Sequence, residues 1–236
     1  MQRYLRPLLL ALGALAACGA AAWLFGWSPH VRYEHLRIVG ASRAAVAELR
    51  HLADLPLGEP LVLLDLDAAA AGVSRHPWVE SAEVRRSFPD TVVVVVRERQ
   101  PVAIVFVDGL FLVDDSGEPF VRARPGDLDH PYLTGISPAL AEAQPEVARR
   151  VIREGLAWLG VLQAEGGVPE ADISELNFDS QSGYTLVLRN GGEVLLGFAD
   201  RGRAARLALL AQNGVDLSRP QRIDLASERL AVVTPL

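Results

Sequence analysis

Apolar and polar residues alternate along residues 76–103, and this stretch predicts a β-hairpin. Its first strand, Val79–Ser87, has a period of two, which is typical of a strand with one buried face and one wet face. A turn follows at Phe88–Asp90, where a proline fixes φ and an aspartate can bond its own backbone. Five consecutive valines, Val92–Val96, are β-branched and predict a strand that is flanked on both sides.

The pattern before the hairpin predicts one strand and two helices. Glu34–Val39 alternates like a strand, and residues 43–53 repeat apolar side chains at helical spacing, with Ser42 as the expected N-cap. The second helix is rich in alanine and ends at Arg75. The order β-α-α-β-β over residues 34–102 predicts two helices on one face of a three-stranded sheet, with the valine strand in the middle.

Residues 103–236 change to short strands joined by tight turns, which predicts a second, mostly antiparallel α+β domain. Pro145–Ala164 is a long amphipathic helix, and residues 201–212 form a second one. Residues 124–138 show no periodic pattern and predict a loop. The remaining predicted strands lie at Ala103–Val107, Leu110–Val113, Phe120–Arg122, Ile173–Phe178, Tyr184–Arg189, Glu193–Phe198, Arg222–Leu225 and Arg229–Val233.

The N-terminus carries an uncharged apolar stretch of 20 residues, Leu8 to Trp27. A helix of that length spans about 30 Å, the thickness of one bilayer core. Arg3 and Arg6 precede it, so the positive-inside bias predicts a cytoplasmic tail at 1–7, a transmembrane helix at 8–27, and a linker at 28–33 that leads to domains outside. The residues expected to anchor the helix in the membrane are Leu8, Leu15, Trp23 and Trp27.

Two other interpretations of this segment remain open. Residues 15–18 resemble a bacterial lipobox, which would make Cys18 a lipidated N-terminus, although residues 19–27 stay apolar where a polar tether is usual. A cleaved signal peptide has an apolar core of about 7–15 residues, shorter than this one.

Composition narrows the classes of function. The chain has a formal net charge of −6 and a single cysteine, Cys18, so we expect neither nucleic-acid binding nor an internal disulfide. The five histidines show no metal-ligand spacing, and the sequence lacks a nucleophile elbow and a phosphate-binding glycine loop. We therefore expect no catalysis, no cofactor, no metal and no small-molecule substrate.

Nearly the whole chain resembles a known family, and the most specific parts of the resemblance are Leu36–Leu49, His76–Ala103, Asp108–Phe120 and Gly183–Gly197. With the N-terminal apolar segment, they are similar to FtsQ/DivIB, a family of bitopic bacterial cell-division proteins. The first module is similar to a POTRA domain. The resemblance implies a non-catalytic, single-pass scaffold of the cell inner membrane at the division septum, with its domains in the periplasm.

The resemblance also implies partners, namely FtsB and FtsL, with other divisome proteins bound through the POTRA-like domain. A terminal strand with an unpaired edge offers backbone donors and acceptors to an incoming strand, which makes this binding physically plausible. Relatives often have an Arg-aromatic pair where this chain has Ala226 and Ser227, and some end in Gly-Trp where it has Thr234 and Pro235. The partner-binding residues implied here are Arg222, Ile223, Asp224, Leu225, Ser227, Arg229, Leu230, Ala231, Val232 and Val233.

An alternative is a POTRA-containing secretion or envelope-assembly factor that chaperones polypeptides. Such proteins usually carry several POTRA units or an attached barrel of alternating strands of roughly ten residues. The sequence shows neither pattern.

Overall fold

A computed structural model describes residues 11–21, 23, 31–198, 200, 202–227 and 230–236. Residues 11–21 are helical, and the side chains of Leu15 and Trp23 are exposed. Leu8 and Trp27, the other two expected anchors, lie outside the described residues. Within the described ranges, no helix combines the length and the hydropathy needed to cross a membrane.

The chain divides into two compact units, Met1–Arg99 and Gln100–Leu236. In the sheet of the first unit, β3 lies between β1 and β2, parallel to β1 and antiparallel to β2. This order confirms the prediction that the valine strand is central. The elements of the first unit are β1 (His35–Val39), α1 (Val46–Ala53), α2 (Leu66–Val73), β2 (Val79–Ser87) and β3 (Thr91–Glu98).

The core of the first unit forms on one face of β3. Val92, Val94 and Val96 are buried there, and Val94 and Val96 share a cluster with Leu49 of α1 and Val73 of α2. Asp65 caps α2 by accepting a hydrogen bond from the amide of Ala68 at 2.9 Å. The alternation of β3 therefore decides which face the two helices cover.

Glu98, at the end of β3, holds the chain before α1. Its carboxylate accepts the N–H groups of Ser42, Arg43 and Ala44 at 2.8–3.1 Å and the Ser42 hydroxyl at 2.6 Å. The prediction that Ser42 caps the helix is therefore wrong. Because Glu98 binds these amides, the chain stays non-helical through Ala45, the N-cap, which makes no side-chain cap bond.

The second unit is built on one nine-stranded sheet with the order β12-β11-β10-β9-β8-β7-β4-β5-β6. The β10–β11, β7–β8 and β4–β7 pairings are parallel and the others antiparallel. Its strands are β4 (Pro101–Phe106), β5 (Leu110–Asp114), β6 (Pro119–Arg122), β7 (Tyr132–Thr134), β8 (Ile173–Asp179), β9 (Gly183–Leu188), β10 (Glu193–Gly197), β11 (Gln221–Asp224) and β12 (Val232–Pro235). Its α-helices are α3 (Pro138–Ala143), α4 (Pro145–Ala164) and α5 (Gly202–Gln212).

The stretch predicted as a loop at residues 124–138 contains β7, a strand of three residues in the interior of the sheet. Three residues are too few to show a period in the sequence. The strand forms through its pairing with β4 and β8, which lie on either side of it. The helix α4, by contrast, has the bounds that its apolar periodicity predicts.

The long helix α4 packs on the sheet through a buried apolar face that includes Trp158 and Leu162. The hydroxyl of Tyr184 in β9 donates to the carbonyl of Val151 in this helix at 2.9 Å. Burial raises the pKa of the Tyr184 phenol above its ordinary value. The phenol therefore stays neutral and keeps its donor at physiological pH.

We expect Glu98→Gln to destabilise the first unit by about 2–3 kcal/mol at pH 7, because buried amides lose a charged acceptor. Burial alone would raise the pKa of Glu98, but the hydrogen bonds from Ala44, Ser42 and Arg43 outweigh it and lower the pKa. The stabilisation by the Glu98 charge is thus complete above the pKa of this glutamate in the unfolded chain, about 4.3. It is lost as the pH falls through the lower pKa that Glu98 has in the folded protein.

Urea titrations followed by circular dichroism at pH 7 and pH 3 measure this. The difference in unfolding free energy between the wild type and the variant should shrink at pH 3. An equal difference at both pH values would contradict the role given to the Glu98 charge.

Candidate interaction surface at the edge of the large sheet

The last strand, β12, lies at one end of the nine-stranded sheet. It pairs antiparallel with β11, with Val232 opposite Asp224, Val233 opposite Ile223 and Thr234 opposite Arg222. All four residues of β12 are exposed. Among the described residues β12 has no second neighbouring strand, so one side of its backbone faces solvent.

Two hydrogen bonds determine which backbone groups of β12 point outward. The amide of Leu236 donates to the carbonyl of Pro220 at 3.3 Å, and the amide of Leu225 donates to the carbonyl of Leu195 in β10 at 3.0 Å. Backbone groups of successive residues in a strand point to opposite sides. Because the amide of Leu236 points towards the strand beside it, those of Thr234 and Val232, two and four residues earlier, point towards β11 as well. The amide of Leu225 points the other way, towards β10, which leaves the groups of Asp224 and Arg222 facing β12. The N–H and C=O groups of Ala231 and Val233 therefore form the free edge.

Pro235 belongs to β12 rather than following it. The sequence pattern ends the strand at Val233, because proline usually terminates a ladder. Here the alternation places the nitrogen of Pro235 on the outward side, so its missing N–H costs the pairing with Gln221 nothing. The proline also removes one donor from the free edge, which limits the useful edge to the residues before it.

The connection between β11 and β12 is held by helix α5. The guanidinium of Arg206 donates to the carbonyl of Ser227 at 2.7 Å and to that of Leu230 at 3.2 Å. On the same helix Ala204 and Leu207 are buried in the core of the unit. The helix that packs on the sheet thus also positions the residues that lead into β12.

Exposed apolar side chains surround this edge. Leu209 of α5, Leu230, Val232 and Leu236 each expose more than half of their surface. A shallow groove of about 240 Å³ runs between α5 and the edge, lined by Arg206, Leu209, Leu210, Asn213 and Ala231. Clusters of exposed apolar residues of this kind are typical of protein interaction sites.

The structure separates the partner-binding residues implied by the sequence into groups. Ile223 and Leu225 are 1% and 0% exposed and belong to the core, so their side chains are not on the surface of this edge. Ile223 lies between polar residues of β11, and Leu225 directly follows the strand with the same alternation, so both side chains are on the buried face. Arg229 lies outside the described residues, and the other implied residues are exposed or half-buried: Arg222, Asp224, Ser227, Leu230, Ala231, Val232 and Val233.

Sequence reasoning missed the contribution of α5. Arg206 and Leu209 lie 26 and 23 residues before Val232, the first residue of the terminal strand, and nothing in the linear pattern links them to it. The structure provides the link, since the helix buries Ala204 and Leu207 and leaves Leu209 55% exposed beside the edge.

Comparison with known proteins identifies both units. Residues 31–99 match the model of the FtsQ-type POTRA domain, and residues 103–226 match the C-terminal domain of the cell-division proteins FtsQ/DivIB. The second match ends before β12, so the free edge lies beyond it. The two matches define a class of cell-division protein in which an FtsQ-type POTRA domain is followed by this C-terminal domain.

Related proteins agree with this class. The chain is 44% identical over 197 residues to the cell division protein FtsQ of Anaeromyxobacter sp. (strain K), covering 82% of this chain and 67% of the relative. It is 37% identical over 202 residues to FtsQ of Myxococcus fulvus, covering 84% and 71%. FtsQ of Streptomyces venezuelae is 30% identical over 208 residues, covering 87% and 76%. The chain belongs to the FtsQ/DivIB family of bacterial cell-division proteins.

We expect Arg206→Gln to loosen β12 without unfolding the second unit. Two carbonyls lose a charged donor, at a cost of about 1–2 kcal/mol, so the inward amides of Val232 and Thr234 should exchange with solvent roughly tenfold faster. Hydrogen exchange followed by mass spectrometry measures this. The exposed Arg150 of α4 offers a matched control, because Arg150→Gln should leave exchange in β12 unchanged. Equal exchange in both variants would contradict the role of Arg206.

Proposed function

We propose that this chain is a non-catalytic, single-pass scaffold of the divisome that captures a segment of FtsB, and through it FtsL, by strand addition to β12. The free edge at Ala231 and Val233 is the observation that carries the proposal. An incoming strand supplies the partners that these backbone groups lack, and main-chain hydrogen bonds give affinity in this binding mode. Membership of a cell-division family supports the biological setting.

Side chains on both faces of β12 add to the backbone contacts. Val233 lies opposite Ile223 and so shares the face that α5 covers, whereas Val232 and Thr234 lie on the other face. A short edge gives few hydrogen bonds, so the groove beside Ala231 and the exposed Leu209 supply apolar area as well. The partner segment therefore carries apolar side chains next to its strand.

The proposed arrangement in the cell follows from the N-terminal sequence. Residues 1–7 form a cytoplasmic tail, residues 8–27 cross the inner membrane, and residues 28–33 link them to periplasmic domains at 34–102 and 103–236. The POTRA-like domain binds other divisome proteins. The protein then connects cytoplasmic and periplasmic parts of the division machinery and helps control septum assembly.

Removing residues 226–236 should abolish FtsB capture, because the deletion removes the free edge and the groove wall at Ala231. Deleting only Pro235 and Leu236 is the matched control, since neither residue contributes an outward N–H, and it should retain most of the binding. Surface plasmon resonance with the purified periplasmic segment of FtsB measures both variants. Full capture by the longer truncation would refute the site.

The alternation of β12 allows a sharper test. Val233→Pro removes an outward donor and should raise the Kd for FtsB roughly tenfold or more, whereas Val233→Ala should have a smaller effect. Val232→Pro removes an N–H that points to β11, so it should speed hydrogen exchange in β12 itself. Equal Kd values for Val233→Pro and Val233→Ala, with β12 still protected, would count against strand addition.

A further inference from the structure

The continuous described part of the first unit starts at residue 31, and residues 31–33 are hydrogen-bonded to one loop. The amide of Tyr33 donates to the carbonyl of Glu59 at 2.8 Å, that of Gly58 donates to Tyr33 at 2.8 Å, and that of Leu61 donates to Val31 at 3.0 Å. The guanidinium of Arg32 donates to the carbonyl of Gly58 at 2.7 Å as well. The loop at residues 57–63 therefore lies at the point where the chain enters the unit.

This loop exposes large apolar side chains. Leu61 is buried in the core, but Leu57 and Leu63 are 71% and 74% exposed, and Val62 is exposed beside them. The loop is held in this arrangement by Arg86 of β2, whose guanidinium donates to the carbonyls of Leu61 at 2.8 Å and Leu64 at 2.7 Å. The two leucines are thus presented to solvent by a hydrogen-bonded loop.

The turn of the hairpin brings an aromatic ring to the same end of the unit. The amides of Glu34 and His35, where β1 begins, donate to the carbonyl of Asp90 at 2.9 and 3.2 Å. The turn between β2 and β3 is therefore at the end where the chain enters. Phe88 in this turn is 59% exposed.

The chain leaves little distance between this end and the proposed membrane span. Four peptide units connect Trp27 to Val31, and they reach at most about 14 Å. The headgroup layer on one side of a bilayer is about 5–8 Å deep. A unit tethered so closely presents the end that carries Leu57, Leu63 and Phe88 within reach of the lipid interface.

We propose that this end of the POTRA-like unit rests on the outer surface of the bilayer and inserts Leu57, Leu63 and Phe88 into the interfacial layer. The inference rests on the proposed membrane anchor. The partner is the lipid surface itself, and the contact fixes the unit against the membrane. Apolar burial drives the contact, at about 25 cal/mol per Å² of surface removed from water.

The charges at this end decide which lipid it prefers. The exposed acids Glu34 and Glu59, with the half-buried Asp90, lie there, whereas the guanidinium groups of Arg32 and Arg86 bind backbone carbonyls of the unit. Both guanidinium groups keep their positive charge while they donate, so the three acids exceed the two arginines by one charge, and this end weakly repels anionic headgroups. The contact is expected to be closer on a zwitterionic bilayer than on an anionic one.

The test uses the full chain in nanodiscs of phosphatidylcholine. In a Cys18→Ser background, an environment-sensitive fluorophore is attached through Leu63→Cys, with Val46→Cys as the control. Val46 is exposed at the start of α1, beyond the far end of β1. The label at position 63 should emit at shorter wavelength than the label at 46, and adding phosphatidylglycerol should reduce the difference.

A second variant separates lipid contact from the local protein environment. With the label at Phe88→Cys, the substitutions Leu57→Glu and Leu63→Glu should return its emission to that of an aqueous label, while circular dichroism stays unchanged. Emission at position 63 equal to that at 46, in chains that copurify with nanodiscs, would overturn this inference and leave the anchor intact. Failure of the chain to enter nanodiscs would overturn both.

Discussion

A sheet must end somewhere, and its last strand leaves alternate backbone groups without a protein partner. In the second unit that strand is β12, and the hydrogen bonds of Leu225 and Leu236 fix which of its groups are left free. Natural proteins usually protect such an edge because it invites pairing with other chains. Here the edge is short, ends in a proline and is bordered by exposed apolar side chains, which suits a selective docking site.

The two units use arginine in the same way. Arg206 donates to carbonyls ahead of β12, and Arg86 donates to carbonyls of the loop that carries Leu63. In each case a segment that connects longer elements receives the donors that its carbonyls need, and it holds exposed apolar residues in place; in the first unit this segment includes the short 3₁₀ helix Leu61–Leu63. The planar guanidinium, with several donors, can bind two carbonyls at once. A chain whose basic residues are all arginine has this device at many positions.

Long-range polar contacts also decide where elements begin. Glu98 binds the amides of residues 42–44 from 54 or more positions away, and α1 starts only after the chain leaves this carboxylate. The local sequence favours Ser42 as a cap, and the tertiary structure gives its hydroxyl to Glu98 instead. A buried carboxylate with several amide donors stabilises the fold only while it is charged, which links the stability of this unit to pH.

The sequence by itself determined the central valine strand, the helix Pro145–Ala164 and, within one residue, the strand predicted at Arg222–Leu225. The spacing of apolar residues along a sequence indicates which side chains of an element are buried. These elements each bury side chains in the pattern that their spacing indicates, so the sequence predicts them. The last strand, predicted at Arg229–Val233, lies at Val232–Pro235 and shares only Val232 and Val233 with that prediction. The sequence pattern did not indicate β7, the role of Arg206 or the membership of Pro235 in β12, because each depends on residues distant in the chain. Only the tertiary structure decided which backbone groups of the last strand face outward. The pairing of β12 with β11 sets which residues have inward and which have outward backbone groups, and the types of the side chains do not indicate it.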